Sequence, residues 1–202
     1  MIRSLTATAL ILLAPPAFAQ SAPPQDGPIT CASPVAPEDT EKTLKQRYGK
    51  DAVTQELAGA EGEKYRGLVL FPKAMDRRIE IAFTDDKAGR ASGLILREAK
   101  ISRWSIGGIT VGSSLANVQK ANGKPFLVSG FEWDYGGFVT DWKGGALSRP
   151  LQDGCTVTIR FGKKSGAPRS LSGDGVKIAS DNATLVKWAP VVTEIGVNFP
   201  DK

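Results

Sequence analysis

Between Phe131 and Trp142 the chain reads Phe-Glu-Trp-Asp-Tyr-Gly-Gly-Phe-Val-Thr-Asp-Trp, five aromatic residues in twelve around a Gly-Gly pair. Two glycines between alternating segments signal a two-residue hairpin turn. Folded that way, Tyr135 stands opposite Phe138, Trp133 opposite Thr140 and Phe131 opposite Trp142. Directly opposed residues share a face, so all five rings fall on one side of the ribbon. Glu132, Asp134, Val139 and Asp141 fall on the other. A second geometry makes Gly136-Gly137 a bulge inside one longer strand, and the two halves then need not share a face.

Five exposed rings at about 150–250 Å² each would present roughly 750–1,250 Å² of apolar surface. Soluble monomers seldom expose a patch beyond about 300–600 Å². Most of the rings are therefore expected in the core, each contributing roughly 1.5–3 kcal/mol to folding; otherwise the ribbon is a sizeable interface. With the rings inward, Glu132, Asp134 and Asp141 point outward. The neighbouring strand adds Thr156, Thr158 and Arg160 on its polar side, opposite Cys155, Val157, Ile159 and Phe161. Such a face is either solvated surface or a recognition surface for a basic partner or sugar hydroxyls. Paired carboxylates also suit glycoside hydrolysis, but acids on an open sheet lack the burial that raises a catalytic pKa.

Residues 1–19 read as a secretory signal: Arg3, then Leu10-Ile11-Leu12-Leu13, then Ala17-Phe18-Ala19 before Gln20. No later stretch reaches the roughly 20 apolar residues of a membrane span. The expected address is the periplasm or the exterior. Cys31 and Cys155 are the only cysteines. In an oxidising compartment they are expected to pair, two free thiols being the alternative, and so long a loop would add roughly 5 kcal/mol in the chain-entropy picture. Histidine is absent, which removes Ser-His-Asp and Cys-His catalysis and His-ligated metal sites. No metal or other cofactor is expected. A net charge of +5 with interspersed charges, and carboxylates rather than a basic stripe around the aromatics, argue against nucleic acid.

Residues 20–37, rich in Pro, Ala and Ser, read as a flexible leader, pinned at Cys31 if the disulfide forms. Pro37-Glu38-Asp39-Thr40 opens a short helix with Leu44 and Tyr48 inward and Gly49 as its stop. Strands are expected at Tyr65–Phe71, Arg78–Phe83 and Leu94–Lys100, the middle one with Ile79, Ile81 and Phe83 inward and Glu80 outward. In the second half Ser113-Ser114 cap a helix carrying Leu115 and Val118 and stopped by Gly123. A Gly/Ser-rich loop (162–175) and closing strands near Thr184–Trp188 and Val191–Phe199 follow. The Asn182-Ala183-Thr184 acceptor pattern reads as a turn. Gly49-Lys50 aligns with Gly123-Lys124, and residues 79–83 align with 157–161, so two tandem helix–sheet units are expected, 38–105 and 106–202.

The run Ile109-x-Val111-Gly112-Ser113-x-Leu115-x-x-Val118…Gly123-Lys124-Pro125 resembles the helix motif of SmpA/OmlA envelope proteins. Tandem copies of that unit are similar to the beta-lactamase inhibitor protein fold. Gly130-Phe131-Glu132-Trp133-Asp134-Tyr135-Gly136-Gly137 resembles an uncharacterised group of secreted bacterial proteins. The architectural likeness implies a two-unit sheet whose exposed face grips another protein, and no contact residue carries over. The expectation is thus an α+β protein of antiparallel sheets with short helices packed on one face. Its expected role is that of an exported, noncatalytic interaction module for an envelope or secreted protein. Cell-wall glycan binding or carboxylate-dependent hydrolysis is the alternative. Candidate binding residues are Trp133, Tyr135, Trp142, Glu132, Asp134, Asp141 and Arg160.

Overall fold

The computed structural model describes residues 26–85, 89–97, 102–163 and 165–200; the signal segment read at 1–19 lies outside them. Among the described residues nine strands form two antiparallel sheets. The larger takes the order β1-β2-β3-β4-β9-β7, from Ala52–Ala58 (β1), Lys64–Leu70 (β2), Ile79–Phe83 (β3), Ala91–Arg97 (β4), Val191–Asn198 (β9) and Thr156–Gly162 (β7). The smaller takes the order β6-β5-β8, from Val139–Asp141, Leu127–Ser129 and Lys177–Ala179. Short helices α1 (Glu41–Tyr48), α2 (Leu115–Asn122) and α3 (Ala183–Trp188) complete an α+β fold.

One face of the large sheet is the core. Its ladder runs Leu70, Ile79, Leu96, Ile195, Ile159 across five strands, each almost fully buried. Leu44 and Tyr48 of α1 and Leu115 and Val118 of α2 join that cluster, as their spacing predicts. α1 begins only at Glu41, so Pro37 precedes it and Thr40 is the cap, forming a reciprocal capping box with Thr43. Ser114 caps α2, and Gly123 closes it in the left-handed region.

Three expectations need correction, and one strand was not expected at all. Residues 26–37 are no loose leader. Ile29, Cys31 and Val35 are buried, and Asp26 pairs with Arg77 at 2.7 Å. The apolar side chains scattered among the prolines find a slot in the core, and Cys31 lies at disulfide distance from Cys155, 124 residues away with a Cα–Cα distance of 5.6 Å. The closing strand read at Thr184–Trp188 is instead α3, because the Asn182 side chain accepts from Thr184 N and Leu185 N and nucleates a helical turn. β1 escaped the sequence reading because its two buried residues, Ala52 and Leu57, lie an odd number of positions apart, on opposite faces, and leave no apolar alternation to detect. The two halves also share a sheet: β9 pairs with β4, so the boundary at 105/106 does not divide the β-structure into two units.

On the face opposite the core lies an ionic row. Glu80 points there, as its register requires, yet is only 4% exposed. Arg78 Nη2 reaches its Oε1 at 2.9 Å and Arg97 Nε its Oε2 at 2.7 Å. Arg97 also reaches Glu194 at 3.6 Å, and Glu194 stands opposite Arg160 in the β7–β9 ladder. Burial pushes the Glu194 carboxyl above its ordinary value, with Arg97 and Arg160 pulling the other way.

Candidate functional site

The aromatic stretch does not fold as a two-residue hairpin. The hairpin arms are β5 and β6, and residues 130–138 form the loop between them. Inside it, Gly136 N closes a turn on Trp133 O at 2.9 Å, and Ser129 N donates to Phe138 O at 2.8 Å. The glycines serve close approach instead. Gly137 has φ 81°, and a Cβ there would sit 2.1 Å from the Phe161 carbonyl oxygen. A Cβ on Gly136 would lie 2.9 Å from the carbonyls of Gly130 and Trp133. Phe161 N donates to Gly137 O at 2.8 Å, so the loop is seated on β7.

The five rings consequently separate. Phe131 is buried edge-on against Trp188, with centroids 4.7 Å apart, and Trp142 packs on Phe126 at 5.2 Å. The loop crown carries the others outward: Tyr135 is 45% exposed, Trp133 meets it in a T-shaped contact at 5.5 Å, and half-buried Phe138 lies beneath the Arg160 guanidinium. Trp133, Tyr135 and Phe138, with Asp174, Val176 and Lys177 from the facing segment, line a groove of about 320 Å³.

Of the other residues singled out, most have structural duties. Arg160 shares a face with Thr156 and Thr158, as expected, but its guanidinium clamps the crown, donating to Gly136 O at 2.8 Å and Asp134 O at 3.0 Å. Glu132 Oε1 accepts from Ala167 N at 2.7 Å. Asp141 accepts from Lys143 N at 2.7 Å and pairs with Lys143 Nζ at 3.2 Å, contacts that hold its carboxyl below the ordinary range. Asp134 is exposed on the crown. None of these three acids lines the groove. Among the described residues no group of three or more potential ligands could hold a metal ion.

A second groove, of about 480 Å³, was not foreseen. It lies between α2 and α3 and is lined chiefly by Leu115, Ala116, Val186, Ala189, Pro190 and Val191. Val186 is 54% exposed and Val191 38%, two of the four exposed large aliphatic side chains among the described residues, with Val53 and Met75 the others. Its polar rim is tied inward, with Ser180 Oγ donating to Gln119 Oε1 at 2.6 Å. Reading 184–188 as a strand hid this groove. The usable signal was Asn182 before the apolar run and Pro190 after it, a start and a stop for one helical turn.

The chain matches no known protein family, no curated protein and no solved structure. The cysteine pair is compatible with an oxidising, extracytoplasmic address. Among the described residues no helix is long and apolar enough to cross a membrane.

Proposed function

We propose that this is an exported, noncatalytic interaction module of the periplasm or exterior, and that it binds another envelope or secreted protein through the groove between α2 and α3. One observation carries the reading: a largely apolar concavity of the fold is also where two large aliphatic side chains, Val186 and Val191, are left in water. Apolar residues exposed together around a concavity gain free energy when a partner's side chain fills it, and such pockets concentrate binding energy. The resemblance of the 109–125 segment to SmpA/OmlA envelope proteins points the same way. Hydrolysis has no support in the arrangement, since Glu132 and Asp141 are engaged in holding loops and Asp134 is solvated.

The test is site-specific crosslinking from position 116, an exposed residue that lines the same groove, in envelope preparations, compared between the chain carrying Val186 and V186D. Val186 is already largely in water, so the substitution leaves the melting temperature within about 2 °C, as a surface change of under about 0.5 kcal/mol would. The expected result is a discrete crosslinked species, lost with V186D and kept with Y135A. A crosslinking pattern indifferent to V186D contradicts the reading.

A further inference from the structure

The crown groove has a different chemistry from the helical one, and we propose that it is a saccharide site: a neutral sugar ring stacks on Tyr135 and Trp133 while its hydroxyls bridge Asp174 and Lys177. The site is distinct from the protein-binding groove and does not depend on it.

The rings come first. Trp133 donates its indole Nε1–H inward to Gly130 O at 2.8 Å, so it offers a ligand only apolar ring surface. Tyr135 is the most exposed aromatic ring of the described chain, and its hydroxyl has no hydrogen-bond partner among the described residues. A sugar ring presents an apolar C–H face with hydroxyls around its edge. Stacking it on these rings buries that face and brings its edge to the groove walls.

The walls choose among ligands. Asp174 and Lys177 both line the groove, and neither side chain forms a hydrogen bond or ion pair with a described residue. Lys177 does sit within electrostatic reach of Asp141, and the Arg160 guanidinium lies behind the crown. A cationic peptide drawn to Asp174 would meet Lys177 and Arg160, and an anionic one would meet Asp174 and Asp134. Neutral hydroxyls satisfy both signs, because a carboxylate only accepts and an ammonium only donates, whereas a hydroxyl does either. The volume, about 320 Å³, sits at the small end of ligand pockets and suits a short saccharide rather than a folded partner.

The crown is also built in advance. Arg160 holds the carbonyls of Asp134 and Gly136, and Ser129 Oγ donates to Tyr135 O at 2.8 Å while accepting from Phe138 N at 3.1 Å. A ring platform fixed before binding loses little conformational entropy when the ligand arrives.

The experiment titrates the exported chain with the β-1,4-linked tetramer of N-acetylglucosamine, a neutral saccharide, and follows the Trp133 indole signal by NMR. A saturable shift is expected at millimolar or lower concentration. Y135A should weaken binding at least about tenfold, D174N and K177M should each weaken it several-fold, and V186D should leave it unchanged. Tyr135, Asp174 and Lys177 are exposed, so a preserved melt confirms that each variant is folded. Three results would overturn the proposal: no shift at tens of millimolar saccharide, an affinity indifferent to Y135A, or a shift produced by lysine-rich or proline-rich peptides and not by the saccharide. None of them touches the crosslinking result from position 116.

Discussion

The two ends of the aromatic stretch and its crown use the same kind of side chain for opposite purposes. Phe131 is held where the backbone enters the loop, and Trp142 just beyond β6. Phe131 N donates to Leu171 O at 2.8 Å, and Gly173 N returns a bond to Phe131 O at 2.9 Å, which fixes the ring beneath α3. Trp133 and Tyr135, a few residues on, are carried away from the core by a turn whose carbonyls are gripped by Arg160. The difference teaches that ring burial here is decided by backbone attachment and not by hydrophobicity. A tryptophan at position 133 is as apolar as one at 142, yet only the second reaches Phe126.

Substitutions at four positions put that contrast at risk in descending order. Phe131→Ala removes a 4%-exposed ring and should cost about 3–5 kcal/mol by chemical denaturation; a loss under about 1 kcal/mol would mean the ring is not core. Gly137→Ala places a Cβ against the Phe161 carbonyl at positive φ and should cost about 1–3 kcal/mol while displacing the crown. Retention of full stability there would show that the loop does not sit on β7. Arg160→Ala should cost about 1.5 kcal/mol through the lost charged hydrogen bonds. It should also broaden the Trp133 indole signal, an effect absent if the crown stands without its clamp. Tyr135→Ala should change stability by less than about 0.5 kcal/mol, the surface value, so a large loss would place that ring in the core after all.

A pH effect sharpens the same contrast from the sheet side. Glu194 faces Arg160, and burial raises its carboxyl above the ordinary value. A carboxyl whose folded pKa is raised binds its proton more tightly in the folded state, so its contribution declines as pH rises from the ordinary carboxylate value through the raised one. Glu41 has the opposite sign. Hydrogen bonds from Lys45 and Thr54 hold it down at about 2, so its contribution is full above the ordinary value and disappears as pH falls through about 2. Glu194→Gln should therefore leave neutral-pH stability unchanged or higher, and NMR titration should place the two glutamates on opposite sides of the ordinary range. A fall in neutral-pH stability would show that the arginine contacts outweigh burial.

The fold class, the α1 and α2 stops at Gly49 and Gly123, and the inward face of β3 were legible because each follows from local spacing. The crown was not. A glycine pair answers equally to a tight reversal and to a close approach, and the group that decides between them, the Phe161 carbonyl, lies 24 residues beyond Gly137. The leader was misread for a related reason, since Ile29 and Val35 are buried in a core whose other members lie far along the chain, as Cys155 does from Cys31. Trp133 and Tyr135 were found from sequence as candidate contacts, but Asp174 and Lys177 come to them only through the β5–β8 pairing. Val186 was hidden by a helix too short to show periodicity.

Hydroxyl-radical footprinting with mass-spectrometric readout tests most directly whether one short stretch divides its rings between core and solvent. Heavy oxidation at Tyr135 with protection of Phe131 is the predicted pattern. Comparable labelling of Tyr135 and Phe131 in the native protein would contradict it.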